Sequence, residues 1–199
     1  MTIIPIEKLI EHPAPSAGRI IRGIYPYSHP TGRKVPDHIM KLAQERGIWV
    51  HDSIESEIKT GKYESNWEHE GYMDAFHKFN HEVQPEYIAS ELCIVAPDGR
   101  SKGIVDALAM IDGKLAIIDF KTSVSTDHAR HELQLAIYTY ILEELGTFGT
   151  PERLHIVKLN KEGKYSMLYY EYDREIVESV INTYHYLADK GAIKGKGGK

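Results

Sequence analysis

GIVDALAMIDGKLAIIDFKTS, residues 103–123, consists of two apolar runs on either side of Asp112-Gly113. Asp-Gly between apolar runs is the strongest short-range signal for a β-hairpin with a two-residue turn. Such a turn pairs residue 111 with residue 114, and Asp106 then lies opposite Asp119. Directly opposed Cβ atoms are ~4.5–5.5 Å apart. Because side chains alternate along a strand, Lys121 is expected on the same face as Asp119.

A second hairpin signal, Asp98-Gly99, precedes this one. If neither hairpin contains a bulge, the same arithmetic places Glu91, Asp106 and Asp119 in one row across three strands. This second register is less secure than the first, because its turn contains a proline and can be longer than two residues. The three predicted strands span about 91–96, 103–111 and 114–121.

Two carboxylates that face each other between apolar flanks require a counter-charge. Like charges directly opposite destabilise a sheet, and an unpaired buried carboxylate is costly. A shared proton, neutralisation by Lys121 or a bound divalent cation would each relieve the repulsion. The register and the apolar flanks favour the cation, and carboxylate oxygens with open coordination positions are typical of Mg²⁺ or Mn²⁺.

A cation held beside a lysine suits phosphodiester hydrolysis. The cation neutralises charge on the phosphate and activates water, and the lysine stabilises the anionic transition state. Zinc hydrolases are disfavoured, because these strands contain no paired His or Cys ligands. Serine hydrolases are disfavoured too, because no G-x-S-x-G motif is present.

Composition excludes several further classes of protein. The 199 residues carry a formal net charge of −5, are 42% hydrophobic and 27% charged, and include one cysteine, Cys93. These values fit one soluble globular domain, exclude intrachain disulfides and indicate a reducing, cytoplasmic setting. No apolar run approaches the ~20 residues of a membrane helix, and the first residues lack the pattern of a secretory leader.

Charge is unevenly distributed along the chain. Residues 1–50 carry seven basic and four acidic residues, whereas residues 51–92 carry three basic and ten acidic residues. Since the net charge of the molecule repels a polyanion, such a partner would have to meet a local basic surface.

Outside the hairpins the sequence predicts helices and two more strands. A helix is expected from Pro36, broken or kinked at Gly47 and followed by a second helix that ends near Gly61. Asp127 and Gly146 are typical of the start and the stop of a long helix. The remaining expectations are a helix at 66–80 with Trp67 on its apolar side, strands at 153–159 and 165–172, a helix from Asp173 to Lys190, an irregular segment or short elements at 1–35, and a flexible basic tail at 191–199.

These motifs resemble the core of the PD-(D/E)XK nuclease superfamily. GIVD, which ends at Asp106, and IIDFKTS, which contains Asp119 and Lys121, are similar to its Asp and (D/E)-x-K on adjacent strands. RGIWVH, which ends at His51, resembles the helical histidine of the RecB-like exonuclease branch. QLAIY, residues 134–138, resembles the Q-x-x-x-Y of that branch. APSAGRII is similar to a segment of phage exonucleases and of the mitochondrial genome maintenance exonuclease.

The resemblance implies a restriction-endonuclease-like α/β fold. Its central mixed β-sheet would combine an antiparallel three-strand meander with further strands, flanked by helices, in one nuclease domain over residues 1–199. It also implies a metal-dependent deoxyribonuclease with Mg²⁺ or Mn²⁺ as cofactor and DNA as partner. Exonuclease action on DNA ends or single strands, in recombination, repair or replication, is the expected mode. A recombination or helicase protein is a further expected partner, and no association with a membrane is expected.

The resemblance also assigns site residues by position. His51, Asp106, Asp119 and the main-chain carbonyl of Phe120 would be metal ligands, and Lys121 would be the catalytic lysine. An upstream acid is also expected. Its two candidates, of which the hairpin arithmetic favours the first, are Glu91 and Glu86.

Other polar residues are candidates for contact with DNA. Gln134 and Tyr138 are four residues apart and share a helix face, from which they would brace the metal-binding strand or touch DNA. Cations interleaved with aromatic residues near the N-terminus, and hydroxyls after the strand, could contact phosphate. These residues are Arg19 and Arg22 with Tyr25 and Tyr27, and Thr122 and Ser123.

Two other functions are weighed against the nuclease. The first is a catalytically silent DNA-binding or assembly module on the same fold, which the presence of Asp106, Asp119 and Lys121 disfavours. The second is a metal phosphohydrolase that acts on small molecules, which no Gly-rich phosphate loop supports.

Overall fold

The structure is a computed structural model that describes residues 4–25 and 35–193. Its helices are α1 (Ile6–Glu11), α2 (Ala17–Ile24), α3 (Asp37–Thr60), α4 (Glu70–Val83), α5 (His128–Leu145) and α6 (Arg174–Asp189). Its strands are β1 (Glu86–Val95), β2 (Lys102–Ile111), β3 (Lys114–Lys121), β4 (Arg153–Leu159) and β5 (Tyr165–Tyr170). Among the described residues, no helix has the length and apolar character needed to cross a membrane.

The five strands form one mixed sheet in the order β1-β2-β3-β4-β5. Strands β3 and β4 are parallel, joined by a crossover through α5, and the other neighbours are antiparallel. Helices α2, α5 and α6 pack on one face of the sheet, and α3 and α4 pack on the other. The predicted α/β fold, a mixed sheet flanked by helices, is confirmed.

The turn between β2 and β3 has the predicted chemistry. Asp112 and Gly113 both have positive φ, 51° and 71°, as a type I′ turn requires. The strands pair from Ile111↔Lys114 to Ala107↔Ile118, which is the predicted register. The regular pairing ends there, immediately before the two aspartates.

The first hairpin has a longer turn than the arithmetic assumed. Ala96 N donates to Ser101 O at 2.9 Å, so four residues form the loop. The register is nevertheless the predicted one between Ala89 and Val95. It shifts by one residue at a bulge after Tyr87, on the far side of Glu91 from the turn.

Strand β3 is anchored by aromatic packing on one face. The Phe120 ring lies edge-on to Phe76 and Phe79 of α4, with centroids 5.5 and 6.0 Å apart. Such edge-to-face pairs are favourable beyond their buried area. Because side chains alternate, Asp119 and Lys121 are directed to the face that carries α5.

The ends of the long helices follow the predicted signals. Asp127 Oδ1 accepts a hydrogen bond from Arg130 N at 3.2 Å at the start of α5, and Gly146 ends this helix with a φ of 64°. Asp173 Oδ1 accepts from Ile176 N at 3.2 Å at the start of α6. Side-chain caps of this kind satisfy the otherwise unpaired N–H groups of the first turn.

The expected break of the helix at Gly47 was wrong. Helix α3 runs without interruption through 24 residues. A glycine within a helix costs only about 1 kcal/mol, and burial of Val50 and Ile54 against the sheet outweighs that cost. The predicted end at Gly61 is confirmed, since this residue caps the helix with a φ of 72°.

One further expectation needs correction. Trp67 precedes α4 and is 86% exposed, so the helix predicted at 66–80 begins later than expected, at Glu70. The expectation of an irregular segment or short elements at 1–35 agrees with the described part, which contains the short helices α1 and α2. An eight-residue helix such as α2 depends on packing more than on intrinsic propensity, here of the buried Ala17, Ile20 and Ile21. Tyr27 and most of the predicted basic tail lie outside the described residues.

The continuous α3 generates a test with two glycines. Gly47→Ala meets no atom within 4 Å and sits in a helical interior, so we expect it to raise the free energy of unfolding by about 0.5–1 kcal/mol. Gly61→Ala places a side chain at positive φ and should lower this free energy by roughly 1–2 kcal/mol. Urea unfolding of both variants checks the pair. Destabilisation by Gly47→Ala would indicate a kink in solution.

Candidate active site

Three side chains from three elements converge beside the sheet. His51 Nδ1 on α3 lies 3.4 Å from Asp106 Oδ2 on β2 and 3.7 Å from Glu91 Oε1 on β1. One ligand-type atom of each residue lies within 4.8 Å of the other two. This spacing allows all three residues to coordinate a single cation. The structure therefore places Glu91, and not Glu86, in the cluster.

Glu91 adopts an unusual backbone conformation. Its φ is +48°, in the left-handed region that residues with a Cβ seldom enter. Strain of this kind costs on the order of 1–3 kcal/mol and concentrates at functional sites. Here it lies at the residue whose carboxylate faces His51.

Asp106 connects this cluster to β3. Phe120 N donates to Asp106 Oδ2 at 2.8 Å, just beyond the point where the β2–β3 pairing ends. The direct cross-strand pair of Asp106 and Asp119 is thus replaced by a contact between the Asp106 side chain and the main chain next to Asp119. The two carboxylates still repel each other through their charges.

Asp119 is buried, with 1% of its surface exposed. Lys121 Nζ lies 2.5 Å from Asp119 Oδ2, and Gln134 Nε2 on α5 donates to Asp119 Oδ1 at 3.0 Å. Gln134 Nε2 also donates to Tyr138 Oη at 3.0 Å. The predicted Gln/Tyr pair therefore braces Asp119 from the neighbouring helix.

Gly103 makes room for this brace. A Cβ on Gly103 would lie 2.2 Å from Cε1 of the Tyr138 ring, far inside van der Waals contact. The glycine at the start of GIVD therefore lets the Tyr138 ring pack on β2 while its hydroxyl reaches Gln134.

The electrostatics of the cluster favour bound protons. Burial acts to lower the pKa of His51, but Asp106, Glu91 and Asp119 outweigh it and raise the pKa to about 9. Burial, together with repulsion from Asp119, raises the pKa of Asp106 to about 7. Burial acts to lower the pKa of Lys121, but Asp119 and Asp106 raise it above its ordinary value. The side chains alone thus leave the cluster short of positive charge.

Thr122 and Ser123 follow Lys121 at the edge of the sheet. Arg46 Nε on α3 donates to Thr122 Oγ1 at 3.3 Å, and Arg46 Nη2 donates to Thr122 O at 3.4 Å. Ser123 Oγ donates to Ser125 O at 3.1 Å.

Arg19 and Arg22 lie on α2, a helix that packs against α5 and α6. Arg22 is exposed and Arg19 is half-buried. Their expected contact with DNA stays a prediction.

Sequence reasoning missed three polar residues near the site. Lys158 on β4 pairs in register with Lys121, and no turn signal could have given the register of a parallel pair. Arg46 begins the RGIWVH motif, but the motif predicted a role only for His51 and none for the arginine. His131, one helical turn before Gln134, is buried, and its pKa is lowered by burial and by Lys121.

Comparison with known proteins gives the family. A sequence model of the PD-(D/E)XK nuclease superfamily matches residues 20–194. The chain belongs to this superfamily. No curated protein sequence matches the chain.

Comparison with solved structures finds exonucleases at low sequence identity. A protein of Eubacterium rectale described as a candidate exonuclease superposes with a TM-score of 0.57 at 11% identity, over 96% of this chain and 85% of that chain. The alkaline exonuclease of Laribacter hongkongensis gives a TM-score of 0.48 at 12% identity, over 94% of this chain and 98% of that chain. The same enzyme in complex with dAMP gives a TM-score of 0.49 at 13% identity, over 92% of this chain and 96% of that chain.

The close approach of Gly103 to Tyr138 generates a second test. Gly103→Ala should lower the free energy of unfolding by about 1–3 kcal/mol, because the new methyl group displaces the ring. Tyr138→Leu removes the clash, so the loss in the double variant should be clearly smaller than the sum of the two single losses. Urea unfolding of the four proteins measures this coupling. Strict additivity would show that the residues do not contact each other in solution.

Proposed function

We propose that this protein is a metal-dependent DNA nuclease that hydrolyses phosphodiester bonds with Mg²⁺ or Mn²⁺ as cofactor. The observation that carries the proposal is the convergence of His51, Glu91 and Asp106 beside the Asp119–Lys121 pair. Membership of the nuclease superfamily supports the class of reaction.

The chemistry of the donor set fits a divalent cation. Two carboxylates and one imidazole offer hard oxygen ligands and one nitrogen, and carboxylate oxygens suit Mg²⁺ and Mn²⁺. The raised pKa values of His51 and Asp106 mark a cluster short of positive charge. We assign His51, Glu91 and Asp106 as ligands. We add Asp119 and the Phe120 carbonyl on the strength of the motif resemblance.

When bound, the cation would supply positive charge to the phosphate and acidify a water molecule. Lys121 acts as a fixed positive charge, because the carboxylates that raise its pKa keep its ammonium group protonated. An ammonium group held in this way stabilises the developing negative charge of the transition state. Gln134 and Tyr138 hold Asp119 in one orientation through the Gln134 amide.

Exonuclease action on DNA ends or single strands is the finer part of the proposal. It rests on the resemblance of RGIWVH and QLAIY to the RecB-like exonuclease branch. Linear and circular single-stranded DNA of equal length separate the modes, because a circle offers no end. Cleavage of linear DNA alone is expected, and rapid cutting of the circle would instead assign an endonuclease.

Substitution of the two residues at the end of β3 tests the proposed chemistry. Asp119→Asn and Lys121→Ala should each lower the rate of DNA cleavage by about 10²-fold or more, as removal of one group that stabilises transition-state charge does. Labelled DNA with Mg²⁺ or Mn²⁺ measures this rate. Lys114→Ala is the matched control, since Lys114 begins the same strand and pairs with Glu152 at the surface, 3.1 Å away.

Two outcomes of this cleavage assay would contradict the proposal in different ways. Wild-type cleavage that survives both site substitutions would refute the assignment of Asp119 and Lys121. Wild-type binding of DNA without cleavage under any metal condition would favour the catalytically silent module.

Metal-dependent stability gives a test that needs no activity. A cation that binds only the folded state stabilises it by about 2.7 kcal/mol at a concentration of ~100 Kd. We therefore expect Mn²⁺ to raise the melting temperature of the wild type. The rise should be much smaller in Asp106→Asn, which removes one ligand charge. An equal rise in both proteins would place the cation elsewhere.

A further inference from the structure

A basic cleft of about 370 Å³ lies next to the candidate active site. The loop between β3 and α5 forms one wall, and the turn between β4 and β5 forms another. We call it the lysine cleft. Its defining lining residues are Thr122, Ser123, Lys158, Lys161, Lys164 and Tyr165.

The lysine cleft adjoins the proposed chemistry directly. Thr122, which lines it, follows Lys121 in the chain. Lys158 pairs with Lys121 across the parallel strands β3 and β4, which lie about 4.8 Å apart. A strand bound at the cluster would therefore meet the cleft within a short distance of the scissile phosphate.

The lysines that line the cleft outnumber its carboxylates. Among the described residues, Lys161 and Lys164 form no ion pair. Lys158 Nζ donates to Val124 O at 2.8 Å and to Thr126 Oγ1 at 2.7 Å, which are uncharged acceptors. Glu162 is the acid that lines the cleft with them. The cleft is thus locally positive in a chain whose net charge is −5.

Arg46 adds a further cation beside the cleft. Its hydrogen bonds go to the hydroxyl and carbonyl oxygens of Thr122. Its guanidinium group stacks over the ring of Tyr72, 5.6 Å from the centroid. Tyr72 lines the cleft as well, so Arg46 holds its charge at the junction of cleft and cluster.

The turn that carries the lysines is rigidly held. Asn160 Oδ1 accepts hydrogen bonds from Glu162 N and Lys164 N, each at 3.0 Å. Helix α4 approaches the turn so closely that a Cβ on Gly71 would lie 2.0 Å from Lys161 O. The lysines therefore extend from a fixed backbone, which reduces the entropy lost when they bind a ligand.

We propose that the lysine cleft binds the sugar-phosphate backbone of the DNA strand next to the scissile phosphate. This inference rests on the proposed nuclease function and names the path of its substrate. Cations on α3, β4 and the β4–β5 turn offer more charge than one small anion needs, which favours a polyanion. The partly exposed Tyr165 lines the cleft beside these cations, and an aromatic ring beside a basic groove is typical of single-strand binding.

Charge reversal at the exposed Lys161 and Lys164 tests whether the DNA strand follows the lysine cleft. Lys161→Glu/Lys164→Glu should weaken binding of a fluorescein-labelled single-stranded oligonucleotide about tenfold or more. Each lost phosphate contact lowers the salt slope of the binding constant by about 0.7, so the slope should fall by about 1.4. Fluorescence anisotropy over a salt series, with Ca²⁺ in place of Mg²⁺, measures both. The neutral variant Lys161→Gln/Lys164→Gln should show an intermediate loss.

The matched control is Lys8→Glu/Lys62→Glu, which makes the same change in net charge at two exposed lysines on α1 and after α3. It should keep the wild-type affinity to within about twofold. A cleft variant that binds with the affinity and salt slope of this control would overturn the inference, even if the wild type cleaves DNA. A loss confined to the cleft variants would support the path even if the wild type proved unable to cleave.

Discussion

The hydrogen bond from Phe120 N to Asp106 Oδ2, 2.8 Å long, joins the two halves of the candidate site. It forms where the regular pairing of β2 and β3 ends, so it uses a main-chain N–H beyond the last pair of the ladder. A charged acceptor makes such a bond stronger than one between neutral groups. It holds the Asp106 carboxylate next to Asp119 despite their repulsion, and within 3.4 Å of His51. The β2–β3 ladder positions the two strands, and this bond fixes the Asp106 carboxylate itself relative to β3.

The same bond closes a circuit of contacts around the buried carboxylate. From Asp106 the circuit passes through Phe120 N to Asp119, and from Asp119 Oδ1 to the Gln134 amide. It continues to the Tyr138 hydroxyl, and the Tyr138 ring returns to β2 over Gly103. A buried polar network that satisfies its members is rigid, whereas a partly satisfied one is costly. The need for a glycine in GIVD and for a Gln/Tyr pair on the following helix therefore has a common physical origin.

The sequence could predict the parts of this arrangement that depend on neighbouring residues, but not those that depend on contacts between residues far apart in the chain. The Asp112-Gly113 turn is local chemistry, and it predicted the β2–β3 register correctly. Gly47 shows the limit of a local rule, because burial of distant apolar residues decides whether a helix continues. Glu91 was placed by hairpin arithmetic, but its left-handed backbone and its contact with His51 depend on packing across the sheet.

The position of Lys158 relative to Lys121 could not be predicted from the sequence at all. The register of two parallel strands depends on how a helix crosses between them, and no short motif encodes it. The turn of β4–β5 and the start of α4 are also far apart in sequence, and their contact depends on Gly71. The lysine cleft is for this reason a feature of the tertiary structure alone. The motif resemblance named the residues of the cluster, whereas the sequence pointed to this neighbouring surface only through Thr122 and Ser123.

The balance of charge explains how an acidic chain can present a basic surface. The acid-rich segment 51–92 neutralises part of its own charge through ion pairs of Glu55 with Lys59 and of Glu82 with Lys78, the latter 3.9 Å long. Within the described part of the chain, the lysines of the lysine cleft form no ion pair with a carboxylate, so their field extends into solvent. Within the Debye length of about 8 Å at physiological ionic strength, a charged ligand responds to such local groups more than to distant ones. Net charge is therefore a poor guide to the partner of this protein, and the distribution of paired and unpaired charge is the relevant quantity.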